Sequence, residues 1–150
     1  MRLMRAPMRV SMRAQTGSVL LEALIAVGIF SFGILSIAAL QARSVQLSSD
    51  ARYRAEASFL ADSLIGQIRA DTPNMGCYAV NDPNKPSCGS ATAASMSKDW
   101  LNRVTGLLPG ATSANQEVKV DQISGEVTVT LRWQAPGQDA HNYMTATRVQ

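Results

Sequence analysis

Histidine, cysteine and aromatic residues are scarce in this chain: one His, two Cys, and aromatic side chains at 5% of 150 residues. Each shortage closes off a class of function. A metal centre of imidazole and thiolate ligands has too few donors, because His141 stands alone and Cys77 and Cys88 are the only thiols. A Cys/His or Ser/His/Asp nucleophile pair would have to be assembled from the same leftovers, so the chain reads as no enzyme and as needing no cofactor. A basic surface interleaved with aromatic rings, the mark of a nucleic-acid binder, is missing too, and no direct nucleic-acid binding is expected. There is no internal repeat. No acid precedes Glu22, and no proline falls between Pro7 and Pro73.

The formal charge of +3 belongs to one end. Residues 1–17 hold four of the 14 basic residues (Arg2, Arg5, Arg9, Arg13) and none of the 11 acidic ones, which leaves ten basic and eleven acidic in 18–150. A basic head before an apolar run is the charge asymmetry that keeps an N-terminus on the cytoplasmic side. Met4, Met8 and Met12 each offer an alternative start within it.

That apolar run, Ser18–Leu40, is broken by a single ionisable side chain, Glu22. As a helix it would cover ~35 Å, enough for a hydrocarbon core of ~30 Å. Gly28 and Gly33 lie inside it, five apart, so they do not form the four-residue spacing of a GxxxG helix-pairing face. The helical pattern continues: Tyr53, Ala57, Leu60, Leu64 and Ile68 recur at spacings of four, three, four and four, while Asp50, Arg54, Glu56, Asp62 and Arg69 fall off that stripe. One helix is expected over 18–70, stopped by Asp71-Thr72-Pro73.

A carboxylate costs a few kcal/mol in hydrocarbon, so Glu22 discriminates among three uses of the run. A removable secretory signal needs small residues at a cleavage site just after a short apolar core, and Ala38-Ala39-Leu40-Gln41-Ala42 fits poorly. A plain membrane anchor explains the length and the arginines and leaves Glu22 to reach back to the headgroups. The third use rests on Gly17-Ser18-Val19-Leu20-Leu21-Glu22, which resembles the class III signal of type IV pilins and their relatives. With the following Ile29-Phe30-Ser31-Phe32-Gly33-Ile34-Leu35, and more loosely Val127–Trp133 and His141-Asn142-Tyr143, the chain is most similar to the PilV type of minor pilin, the type IV pilus modification proteins. The chain departs from the family at Ser18, where an aromatic residue or methionine is usual.

The resemblance implies a set of expectations. A prepilin peptidase would cut between Gly17 and Ser18, removing 1–17 as a leader. Ser18 would carry a free, N-methylated ammonium, and Glu22 would pair with that group on a neighbouring subunit as an assembly key. Residues 18–40 would form the transmembrane and assembly helix. Residues 41–150 would form a periplasmic pilin-like head, held in the bacterial inner membrane before entering a fibre or its tip. The partners would be other minor and major pilins and the inner-membrane assembly platform. Adhesion, twitching and DNA uptake would follow from the fibre. Two alternatives stay open: a minor pseudopilin of a type II secretion system, which shares this N-terminus, and an uncleaved membrane-anchored periplasmic binding module.

About 80 residues remain after the helix, a small domain that often needs a staple. Proline, glycine, asparagine and serine make 71–96 a loop. Cys77 and Cys88 sit in it; past an export signal they would form a disulfide worth ~2–3 kcal/mol, the alternative being two free thiols. A short helix is expected over 97–108, with Ser97 as its cap and Pro109-Gly110 as its stop. Alternation then gives strands at 117–122, 126–134 and 142–149, with a tight turn at Ser124-Gly125. Three strands with one apolar face need a cover, and the stripe on 53–68 supplies it, so the fold class is α+β, a long N-terminal helix packed by its second half on a small antiparallel sheet. Trp133 reads as core, Trp100 and Leu101 as packing the short helix onto the sheet, and His141 as an exposed or capping residue.

Overall fold

A computed structural model describes residues 16–84 and 86–149, the first two by backbone alone. The expected leader therefore lies outside the described residues apart from the backbone of Thr16 and Gly17. The chain divides into two units, Met1–Gln46 and Leu47–Gln150, with one helix, α1 (Thr16–Ala70), contributing to both.

In the second unit α1 presents the predicted stripe. Ala57, Leu60, Leu64 and Ile68 are buried, joined by Ala61 and Ile65, and Tyr53 packs at the edge of the cluster. Arg54, Asp62 and Arg69 face solvent. Asp50 departs from the expectation: it is partly buried and continues the stripe one turn toward the N-terminus. The helix ends where Pro73 cannot continue the ladder. A 3₁₀ segment follows at Thr72–Tyr78, inside what composition marks as loop; its Met75, Gly76, Cys77 and Tyr78 are buried.

The second helix corrects the sequence reading. It is α2, Ala91–Leu107, six residues longer at its start than predicted. The cap is Ser90, whose hydroxyl accepts the Ala93 N–H at 3.2 Å. Ser97 lies within the helix and is buried, on a face with Ala93, Trp100 and Val104. Trp100 meets α1 rather than standing only on the sheet, its indole N–H donating to the Leu60 carbonyl at 2.8 Å. Leu101 packs at the margin of the core.

The strands fall close to where alternation puts them: β1 (Glu117–Asp121), β2 (Glu126–Trp133) and β3 (His141–Arg148), antiparallel in the order β1-β2-β3. Val118, Val120, Val127, Val129, Leu131 and Trp133 are buried against the helices. Gln122 belongs to the turn, not to β1. In that turn Asp121 accepts from the Ser124 hydroxyl and from the Ile123 and Ser124 N–H groups, and Gly125 takes the positive φ of 71° that closes it. The Ser124 hydroxyl, then the two N–H groups, hold the Asp121 carboxyl below the usual carboxylate range. The arrangement is α+β, with the second half of α1 on a three-stranded antiparallel sheet.

The two edges of the sheet differ. Along β1 the segment after the 3₁₀ turn runs antiparallel: Val80 and Val118 exchange N–H···O=C bonds at 3.1 and 2.9 Å, and the Asp82 carboxylate accepts the Val120 N–H at 2.9 Å. Asn81, at a positive φ of 51°, turns its amide onto the Ser113 and Gln116 carbonyls. Fully buried Gln116 bonds both the N–H and the C=O of Arg132. The outward N–H groups of β1 at Val118 and Val120 are thus both occupied.

Candidate functional site

The described part of the first unit is helix from Thr16 onward, and its described side chains are nearly all exposed. From Val19 to Leu40 every large apolar side chain is more than half exposed, and this is the one stretch among the described residues long and apolar enough to be a candidate membrane span. Its hydroxyls look after themselves. Ser31 and Ser36 donate to the carbonyls four residues back, at 2.7 and 2.9 Å, so each buries its proton in the helix instead of presenting it to an apolar surrounding.

Glu22 has no such recourse. It is exposed and is the only ionisable residue between Ser18 and Ala42. No ion pair among the described residues includes it. Ser18 lies four residues before it, hence on the same helical face. The backbone of Gly17 and Ser18 is already helical. A ring of exposed apolar surface with one carboxylate near its start can do one chemical thing well: accept a cation or a strong donor brought by another molecule, in a medium that makes a missing partner costly.

Cys77 and Cys88 are brought together in a disulfide with Cα atoms 4.5 Å apart. Cys77 is buried and Cys88 exposed. The bridge ties the 3₁₀ segment to the loop leading into α2. Gly76 beside it has no room for a side chain: a Cβ there would meet the Ser87 carbonyl and the Gln122 amide.

His141 is neither exposed nor a cap. Its side chain is about one-fifth exposed (21%), with Nε2 3.4 Å from Asp50 Oδ1, and its ring lies at 30° to that of Trp133, centroids 5.8 Å apart. The other Asp50 oxygen takes the Arg54 Nε at 3.2 Å. With Ser58 donating to the Tyr143 hydroxyl at 3.3 Å and Arg69 to Thr147 at 3.0 Å, β3 is stitched to α1 by three polar contacts. The signal for Asp50 was present as its three-residue spacing before Tyr53; nothing local marks His141 as its partner. Comparisons with family models, with curated proteins and with solved structures give no match to this chain.

Proposed function

We propose that this chain is a minor pilin of a type IV pilus, most like the PilV type, that joins its fibre through α1. Prepilin peptidase would cut between Gly17 and Ser18. The helix then waits in the inner membrane, head in the periplasm, until the assembly platform moves it into a bundle with other minor and major pilins. Its exposed apolar surface exchanges lipid for neighbouring helices, so little hydrophobic free energy changes. Direction and register come from charge. The Ser18 ammonium of one subunit and Glu22 of the next attract by roughly 4 kcal/mol at about 4 Å and an effective dielectric constant of about 20. A slip of one helical turn, about 5.4 Å, leaves both unpaired.

The observation that carries this reading is Glu22: one carboxylate, alone in an exposed apolar helix, placed five residues after Gly17. The α+β head and its disulfide support it. The deciding experiment is intact mass and N-terminal sequencing of membrane-extracted chain from cells with and without the peptidase. A methylated Ser18 terminus that needs the peptidase is expected. A chain that keeps Gly17 in both cells, or is cut near Ala42, defeats the proposal.

A further inference from the structure

The sheet's two edges point to a second docking element. We propose that the outer edge of β3 receives one extended segment of a neighbouring subunit, added to the sheet as a fourth strand. The inference rests on the minor-pilin reading, because that neighbour is one brought alongside by its own membrane helix.

The direction of the backbone groups is fixed by the ladder. Val149 donates its N–H to Gly125 at 2.8 Å, and β3 pairs with β2 without a bulge from Arg148↔Glu126 to His141↔Trp133. In an antiparallel ladder N–H groups alternate sides. Those of His141, Tyr143, Thr145 and Thr147 therefore point to β2, and those of Asn142, Met144, Ala146 and Arg148 point away from it. Among the described residues no hydrogen bond reaches these outward groups. The contrast with β1 is direct: there Val80 and Asp82 take the outward N–H groups of Val118 and Val120.

Sheet edges are normally blunted by proline, lysine, a bulge or a covering segment. His141–Arg148 has no proline, no lysine and no bulge, and its only permanent charge is at the end, Arg148. Met144, in the middle, is 65% exposed. A row of alternating N–H and C=O groups at strand spacing is complementary to one class of ligand, another extended backbone.

Size identifies how the ligand arrives. Eight residues a side fall well short of the ~20–30 a side of a free-standing interface, so isolated heads do not dimerise through this edge. Two subunits whose membrane helices already touch are held at high effective concentration, and a short strand pairing is then enough.

The test uses the full chain in cells that make the fibre, with a photo-reactive benzoylphenylalanine at Met144 or, as control, at the exposed hairpin tip Ile123. The Met144 probe is expected to crosslink to an extended segment of a second membrane-helix subunit, mapped by peptide mass spectrometry, at least fivefold above Ile123. Ala146→Pro removes one outward N–H on an exposed position and keeps the ladder to β2; it is expected to cut the crosslink at least fivefold while the head stays protease-resistant. Where Ala146→Pro loses that resistance, Asn142→Pro replaces it. No crosslink at Met144 above Ile123, or one that survives both proline variants in folded heads, overturns the inference. A cleaved chain that behaves so defeats the edge proposal alone, whereas an uncleaved leader overturns this proposal and the pilin reading together.

Discussion

Trp100 and Leu60 hold the two helices of the head together: the indole N–H of one bonds the main-chain carbonyl of the other at 2.8 Å, with Trp100 fully buried and Leu60 nearly so. The bond crosses between α2 and α1 at the centre of the core. Removing the donor while keeping an aromatic ring, Trp100→Phe, should cost about 1 kcal/mol from the bond alone. Trp100→Ala adds a cavity and should cost ~3–5 kcal/mol. Urea unfolding of the detergent-solubilised chain, followed by near-ultraviolet circular dichroism, measures both; no loss in Trp100→Phe would mean that the indole N–H contributes nothing.

The Cys77–Cys88 bridge is asymmetric in access, which makes its chemistry ordered. Alkylation of exported chain without reductant should label neither sulfur. After mild reduction Cys88, on the surface, should label before Cys77, which is 7% exposed. Full reduction should lower stability by about 2–3 kcal/mol, read as a shift of the urea midpoint. Simultaneous labelling of both sulfurs would show that the 3₁₀ segment opens with the bond.

Tyr78 gives the head an alkaline limit. Burial first, then the Asp71 carboxylate and the hydrogen bond to it at 3.3 Å, raise its phenol above the ordinary value of 10.0. The unfolded chain releases this proton near the ordinary value while the folded chain still holds it. The stabilisation is therefore complete below about pH 10 and is lost as pH rises through the raised value. The melting temperature of wild type should fall more steeply above about pH 10 than that of Tyr78→Phe; parallel curves would place the alkaline sensitivity elsewhere.

Glu22→Ala and Glu22→Gln separate insertion from assembly. Both should insert and be cleaved at Gly17 like wild type, since removing a charge only eases insertion. On the proposed pairing both should be missing from sheared fibres by tenfold or more, because the neighbour's ammonium would then be left unpaired. Immunoblots of membrane and sheared fractions decide it, and normal fibre incorporation of either variant would remove charge pairing from the mechanism.

Period made most of the head legible. The spacing of Tyr53 to Ile68 and the alternation of Val127 to Trp133 each describe a surface half in and half out of a core, and both elements formed where those patterns placed them. The start of α2 was hidden for the same reason. Its buried face, Ala93-Ser97-Trp100-Val104, has helical spacing but begins with a methyl and a hydroxyl, too little apolar surface to register as a stripe beside so many prolines and serines. Ser90 was one serine of several until its hydroxyl was seen on the Ala93 N–H. Contacts between distant segments were not legible at all. His141 meets Asp50 and Val80 meets Val118 only because the fold brings them together, and neither pair has a local signature. Gly17, Ser18 and Glu22 came from motif, and the structure adds that Glu22 stands on an open helical surface.

The segment that covers β1 is the one pinned at its start by Cys77. With it in place the outward N–H groups of Val118 and Val120 are spoken for, and β3 is the edge without such a cover among the described residues. Cover and staple are therefore neighbours in sequence: the residues that close the β1 side of the sheet follow within five positions of the buried sulfur that fastens the loop before α2.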